Sequence, residues 1–171
     1  MTSPTSARAM IAAPRSLAAW ALVGYAGLHL AFAFFDWILP GTGTLSVRSA
    51  GASFTSLAEM AMPVIAVLLA TQVQPMLSSA KLIATIALVE YAVIVVLGLL
   101  TLLIGVGAVA DARIGSAHQS LDVLAYFVLG LGRLALAAIA GIVSYQAFTR
   151  LGGSISVGST RPNPSAPPPA G

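Results

Sequence analysis

The sequence has no cysteine and only two histidines, and it is poor in charge: of 171 residues, 8 are Lys or Arg and 5 are Asp or Glu, 8% in all. Without cysteine there is no disulfide framework, no thiol nucleophile and no thiolate metal site. Soluble domains carry roughly 25% charged residues, so a water-soluble enzyme or DNA-binding module is excluded. The pI near 9.8 does not point to nucleic acid, because the basic residues stand singly and build no patch. What the chain has in abundance is apolar: 58% hydrophobic positions and a mean hydropathy of +0.95. That is the composition of a polytopic membrane protein.

Four apolar runs follow one another. The first, Leu17 to Leu39, is about 34 Å long as a helix, enough to cross a hydrocarbon core of about 30 Å. Pro40 and the Gly41-Thr42-Gly43 turn stop it. The second, Leu57 to Gln74, is the shortest at about 27 Å, and its short link to Lys81 predicts a hairpin with the third. The third, Lys81 to about Val109, and the fourth, Leu121 to Phe148, both exceed the bilayer thickness. The expected fold is therefore all-α, an antiparallel four-helix transmembrane bundle over about 17–39, 57–74, 81–109 and 121–148. It lies in a membrane domain of 17–151, between a polar N-terminal tail, 1–16, and a disordered Pro/Gly/Ser-rich tail, 152–171. Pro164-Ser165-Ala166-Pro167 in that tail has Pro-x-x-Pro spacing, which fits a polyproline ligand or a solvated spacer.

Arg8 and Arg15 before the first run, with Ala31-Phe32-Ala33 inside it, also fit a cleaved signal peptide. The continuation through Phe34, Phe35, Trp37 and Ile38 favours an uncleaved span. Placing the N-terminus in the cytoplasm puts Arg8, Arg15, Lys81, Arg150 and Arg161 inside, against Arg48 and Arg113 outside. This satisfies the positive-inside rule and predicts a multi-pass plasma-membrane protein with both ends cytoplasmic.

The alanine-rich spans, the segment FDWILPGTGTLSVRSAGASFTSLAEMAMPVIAVLLATQVQP and the Pro-rich tail resemble small uncharacterised four-helix integral membrane proteins of actinobacteria. The resemblance runs from about Ala19 to Leu151. It implies the architecture and no particular chemistry.

Chemistry in a bilayer is sought at its ionisable residues, since a charge at a helix centre costs about 2.5–3.5 kcal/mol. His29, Asp36, Glu59, Glu90 and Arg133 are the candidates for an intramembrane polar cluster. Ser56-Leu57-Ala58-Glu59 fits a capping box, with Glu59 reaching back to the Ser56 amide; a substrate or proton role is its alternative. Asp122 suits a helix start. Asp36, at a helix C-terminus, needs interfacial water or a cation such as Arg48 or Arg113. Tyr25, His29, Phe32 and Asp36 share one face, as a proton relay or as ordinary bundle packing. Glu90 is about 14 Å above the inner boundary and Arg133 about 18 Å below the outer one. Arg133 shares a small-residue strip with Gly130, Ala137, Ala140 and Ser144, so its guanidinium is expected to face the bundle. Its expected partner is Glu90, with Glu59 or Asp36 as alternatives. Pro63 leaves the Glu59 carbonyl free, as a kink or as an ion ligand.

No H-E-x-x-H, Gly-rich phosphate loop or G-x-S-x-G is present, so the chain is read as non-enzymatic and without a cofactor. Haem ligation by His29 and His118, or a metal held by His29, Glu59 and Glu90, lacks any spacing signature. The sequence therefore predicts a bundle that associates with itself or a larger membrane partner in the lipid bilayer, and does not bind nucleic acid. Small-residue strips at Gly27/Ala31 and Ala137/Gly141 suit such contacts. The alternative is a small proton- or ion-coupled transporter built on midplane His29, Glu90 and Arg133.

Overall fold

The computed structural model describes residues 4–39, 41, 43–73, 76–112 and 119–153. Among these the regular structure is all helix, with five helices and no strand: α1 (Pro4–Ile38), α2 (Leu45–Gly51), α3 (Leu57–Thr71), α4 (Ala80–Ala112) and α5 (Gln119–Arg150). Three stretches, Pro14–Ile38, Ala80–Ala112 and Ser120–Arg150, are long and apolar enough to cross a membrane.

Three boundaries differ from the expected ones. Helix α1 begins at Pro4, so most of the expected polar tail is helical. Pro14 inside it removes one amide donor, a loss that the alanine-rich turns on either side tolerate. Helix α3 stops at Thr71, where the Gln72 amide still bonds the Leu68 carbonyl at 2.9 Å, and at about 22 Å it is shorter than the other long helices. The link beyond it turns back at once, with the Leu77 amide on the Ala70 carbonyl at 3.2 Å. The third difference is α2, in the stretch expected to be a plain connection. Thr44 caps it by accepting from the Val47 amide at 3.4 Å. Tertiary contacts then hold it. The Trp37 indole donates to Ser49 Oγ at 2.9 Å, and Arg48 donates to the carbonyls of Trp37 and Leu39, closing the C-terminal end of α1. The tail after residue 153 lies outside the described residues.

Helix α4 is the central element, touching α1, α2, α3 and α5, whereas α1 and α5 do not meet. The contacts are close because the residues are small. Ala19, Ala66, Ala70, Ala80, Ala84 and Ala87 are buried together with Val23, Val67, Ile83 and Phe148. Along α4 and α5, Gly98 faces Leu134, Gly105 faces Tyr126, and Gly141 faces Tyr91, which fixes one register over the whole pair. At its far end Lys81 donates to the Gly152 carbonyl at 3.2 Å and stands 5.9 Å from the Phe148 ring, so the start of α4 adjoins the end of α5. That end is a Schellman turn: Gly152 at φ 74 turns the chain, and the Gly153 amide bonds the Phe148 carbonyl at 3.0 Å.

The exterior is apolar. Leu121, Leu129, Ile139 and Ile142 of α5 are all more than half exposed, while its fully buried positions, Leu134, Ala137, Ser144 and Phe148, make one narrow strip. In water such a surface is an aggregation hazard; against lipid tails it is the expected coat.

Gly105 gives the sharpest test of this packing. A Cβ there would lie 2.9 Å from the Ala50 amide nitrogen, so α2 could no longer rest on α4. Gly105→Ala should lower stability by about 1–3 kcal/mol in detergent unfolding. Gly107→Ala, inside α4 with nothing within 4 Å of its Cβ, should leave stability unchanged or raise it by up to about 1 kcal/mol, because alanine is the better helix former.

Candidate intramembrane polar site

The polar residues gather where α1, α3 and α4 converge. His29 Nε2 of α1 lies 2.9 Å from Glu59 Oε1 of α3. Tyr25, one turn before His29, stacks on the imidazole with ring centroids 6.4 Å apart. The expected capping box does not form: Ser56 occupies the N-cap with extended backbone, but its side chain makes no cap hydrogen bond. Glu59 instead turns sideways to the imidazole, a partner that can return a charge-assisted bond.

At the next residue of α3, Tyr91 of α4 donates its hydroxyl to the Met60 carbonyl. This contact falls just before Pro63, whose missing amide leaves the Glu59 carbonyl without its helical donor. Tyr91 is buried and ties α4 to the weakened part of α3.

Glu90 is the unusual member. It is only 6% exposed, and its Oε2 has no hydrogen-bond partner. Its Oε1 presses against Gly27 of α1, where a Cβ would stand 2.9 Å away. Gly27 therefore makes room for the carboxyl. The titratable group beside it is Tyr91, its neighbour on α4, and among the described residues no cation forms an ion pair with Glu90. Leaving a buried polar group unsatisfied costs about 1–3 kcal/mol, and more for a charge.

Arg133 is elsewhere, and the expected Glu90–Arg133 pair is corrected. The α4–α5 register sets Leu134 against Gly98, about 12 Å along α4 from Glu90. Leu134 and Ala137 occupy the buried strip of α5, which turns the neighbouring Arg133 outward, so it is exposed and not bundle-facing. It lies at the rim of a cavity of about 170 Å³ with Tyr126, Thr101, Ser49 and Thr55. Asp36 is exposed near the end of α1, and Arg48 bonds α1 carbonyls rather than this carboxylate. Asp122 falls in the first turn of α5 as expected for a helix start. Arg113 and His118 lie outside the described residues. Among the described residues, no three His, Asp or Glu side chains are grouped to hold a metal ion, so His29, Glu59 and Glu90 do not form a ligand set.

Gly27 and Tyr91 were not among the residues singled out for this site. The sequence signal of Gly27 is only its place in the Gly27/Ala31 packing strip, and that of Tyr91 is that it adjoins Glu90. Compared with known proteins, the chain matches no family model, no curated protein and no solved structure.

The His29–Glu59 contact should appear in a double-mutant cycle. His29→Gln and Glu59→Gln should couple by about 0.5–2 kcal/mol in unfolding free energy, whereas His29→Gln and Glu90→Gln should be additive within about 0.5 kcal/mol.

Proposed function

We propose that the chain is a multi-pass plasma-membrane protein, non-enzymatic, that exchanges protons or cations across the bilayer at Glu90. In this reading α1, α3, α4 and α5 form an antiparallel four-helix bundle with both ends in the cytoplasm. The basic residues Arg15, Lys81 and Arg150 then mark the inner surface. Helix α3, shorter than the hydrocarbon core, is accommodated by local thinning of the bilayer. Glu90 comes about 14 Å above the inner surface, near the midplane, where such sites are commonly built.

One observation carries this reading: the Glu90 carboxyl is buried with an oxygen that has no partner. A carboxylate kept for packing is held by a cation or by several donors. An ionisable group in a membrane interior without them is most simply a functional one. The adjoining His29–Glu59 pair supplies a second proton-exchanging couple within the same three helices. Because among the described residues no cation pairs with Glu90, Glu90→Gln should leave the thermal unfolding temperature within a few degrees of wild type. In reconstituted vesicles it should abolish flux driven by a pH gradient. Undiminished flux in a folded Glu90→Gln protein would rule the reading out.

A second reading, self-association, is favoured by a separate observation. Asp36 and Arg133 are both exposed, on helices that do not touch each other. Counted from the Gly27–Glu90 and Gly98–Leu134 contacts, they fall at the same level within about one turn. Two copies side by side in one membrane can therefore pair Arg133 of one with Asp36 of the next, which neither helix does within a copy. Arg133→Glu should shift cross-linked oligomers toward monomer, and adding Asp36→Arg should restore them. A monomer at every concentration in wild type would contradict self-association.

A further inference from the structure

Above their contact at Gly27 and Glu90, α1 and α4 separate. The space between them is a groove of about 530 Å³ that begins at Gly27 and is walled by Leu30, Phe34, Phe35, Val93 and Val96. That volume is within the range of small-molecule sites, roughly 300–1,000 Å³. Phe35, Val93 and Val96 are exposed on the outer surface, so the groove opens toward the lipid. At its inner end Gly27 also receives Glu90 Oε1, and the other oxygen of that carboxyl, Oε2, is buried without a partner among the described residues.

We propose that this groove binds a lipophilic cation, an ammonium or phosphonium centre carried on an apolar body, with its charge set against Glu90. The proposal deepens the exchange reading by naming its substrate class, and it rests on Glu90 being the exchanging group. Three features select this chemistry. The walls are side chains without hydroxyl, amide or charge, so a hydrated metal ion finds no oxygen shell there. Among the described residues no cation faces Glu90, which excludes an anion and leaves a carboxyl to be neutralised. Phe34 and Phe35, in edge contact with centroids 5.9 Å apart, give a positive centre aromatic surface to approach. A ligand of this kind dissolves in the bilayer and enters from it, which suits a groove opening sideways.

The test uses the full chain in lipid nanodiscs and two isosteric probes of opposite charge, tetraphenylphosphonium and tetraphenylborate, with tryptophan fluorescence and calorimetry as readouts. Saturable binding of the phosphonium alone is expected, weakened at least tenfold by Glu90→Gln. Val96→Trp, which fills the groove and leaves Glu90 in place, should weaken it similarly. Equal binding of both probes, or phosphonium binding indifferent to both substitutions, overturns the site. If the phosphonium fails to bind while Glu90→Gln still abolishes flux, the groove proposal fails and the exchange reading stands. If the phosphonium binds through Glu90 but flux survives Glu90→Gln, the site stands as a binding site and the exchange reading fails.

Discussion

The arrangement depends on how closely other helices can approach α4. Each contact is made over a residue with little or no side chain on one side: Gly27 under Glu90, Gly98 under Leu134, Gly105 under α2, and Gly141 beside Tyr91. The alanines of α1, α3 and α4 do the same at the other end. Lipid tails are as apolar as leucine, so burial of greasy side chains gives no drive to associate within a bilayer. Close van der Waals packing and a few hydrogen bonds must hold the helices together. That explains why a chain so rich in Leu, Ile and Val exposes most of those described, while alanine is the commonest residue in its buried core.

The same closeness makes the polar residues consequential. His29 and Glu59 are brought within 2.9 Å, and Tyr91 reaches the Met60 carbonyl beside the proline-weakened part of α3. Glu90 receives no comparable compensation. It is admitted by Gly27 and then left with an oxygen facing nothing polar. The packing that binds α1 to α4 thus buries a carboxyl with one oxygen unpartnered among the described residues, beside an apolar groove.

How much of this could be read from the sequence varies with the range of the interactions. The long apolar runs are local, and α4 and α5 agree with them to within a few residues. Helix α2 is not local: its seven residues have no useful periodicity, and it is held by Trp37 and Gly105 from outside and by its own Arg48 on the Trp37 carbonyl. Ser56 and Glu59 have the spacing of a capping box, but a histidine thirty residues earlier captures the carboxylate. Arg133 was misplaced because its depth was counted from Leu121 as though all helices ended at one plane. Helices α4 and α5 in fact run about 16 Å past the end of α1, and that projection also shifts Arg133 away from Glu90. Relative helix registers are tertiary facts. Glu90 could be recognised as deep, but not as unpartnered.

The central claim is that Glu90 changes its protonation inside the bundle. Infrared difference spectroscopy of the protein in bilayers, between acid and alkaline conditions, reads the carboxyl C=O stretch directly. The account predicts a band at the position of a buried, weakly hydrogen-bonded carboxylic acid, absent in Glu90→Gln and retained in Asp36→Asn. A difference spectrum unchanged by Glu90→Gln would contradict it.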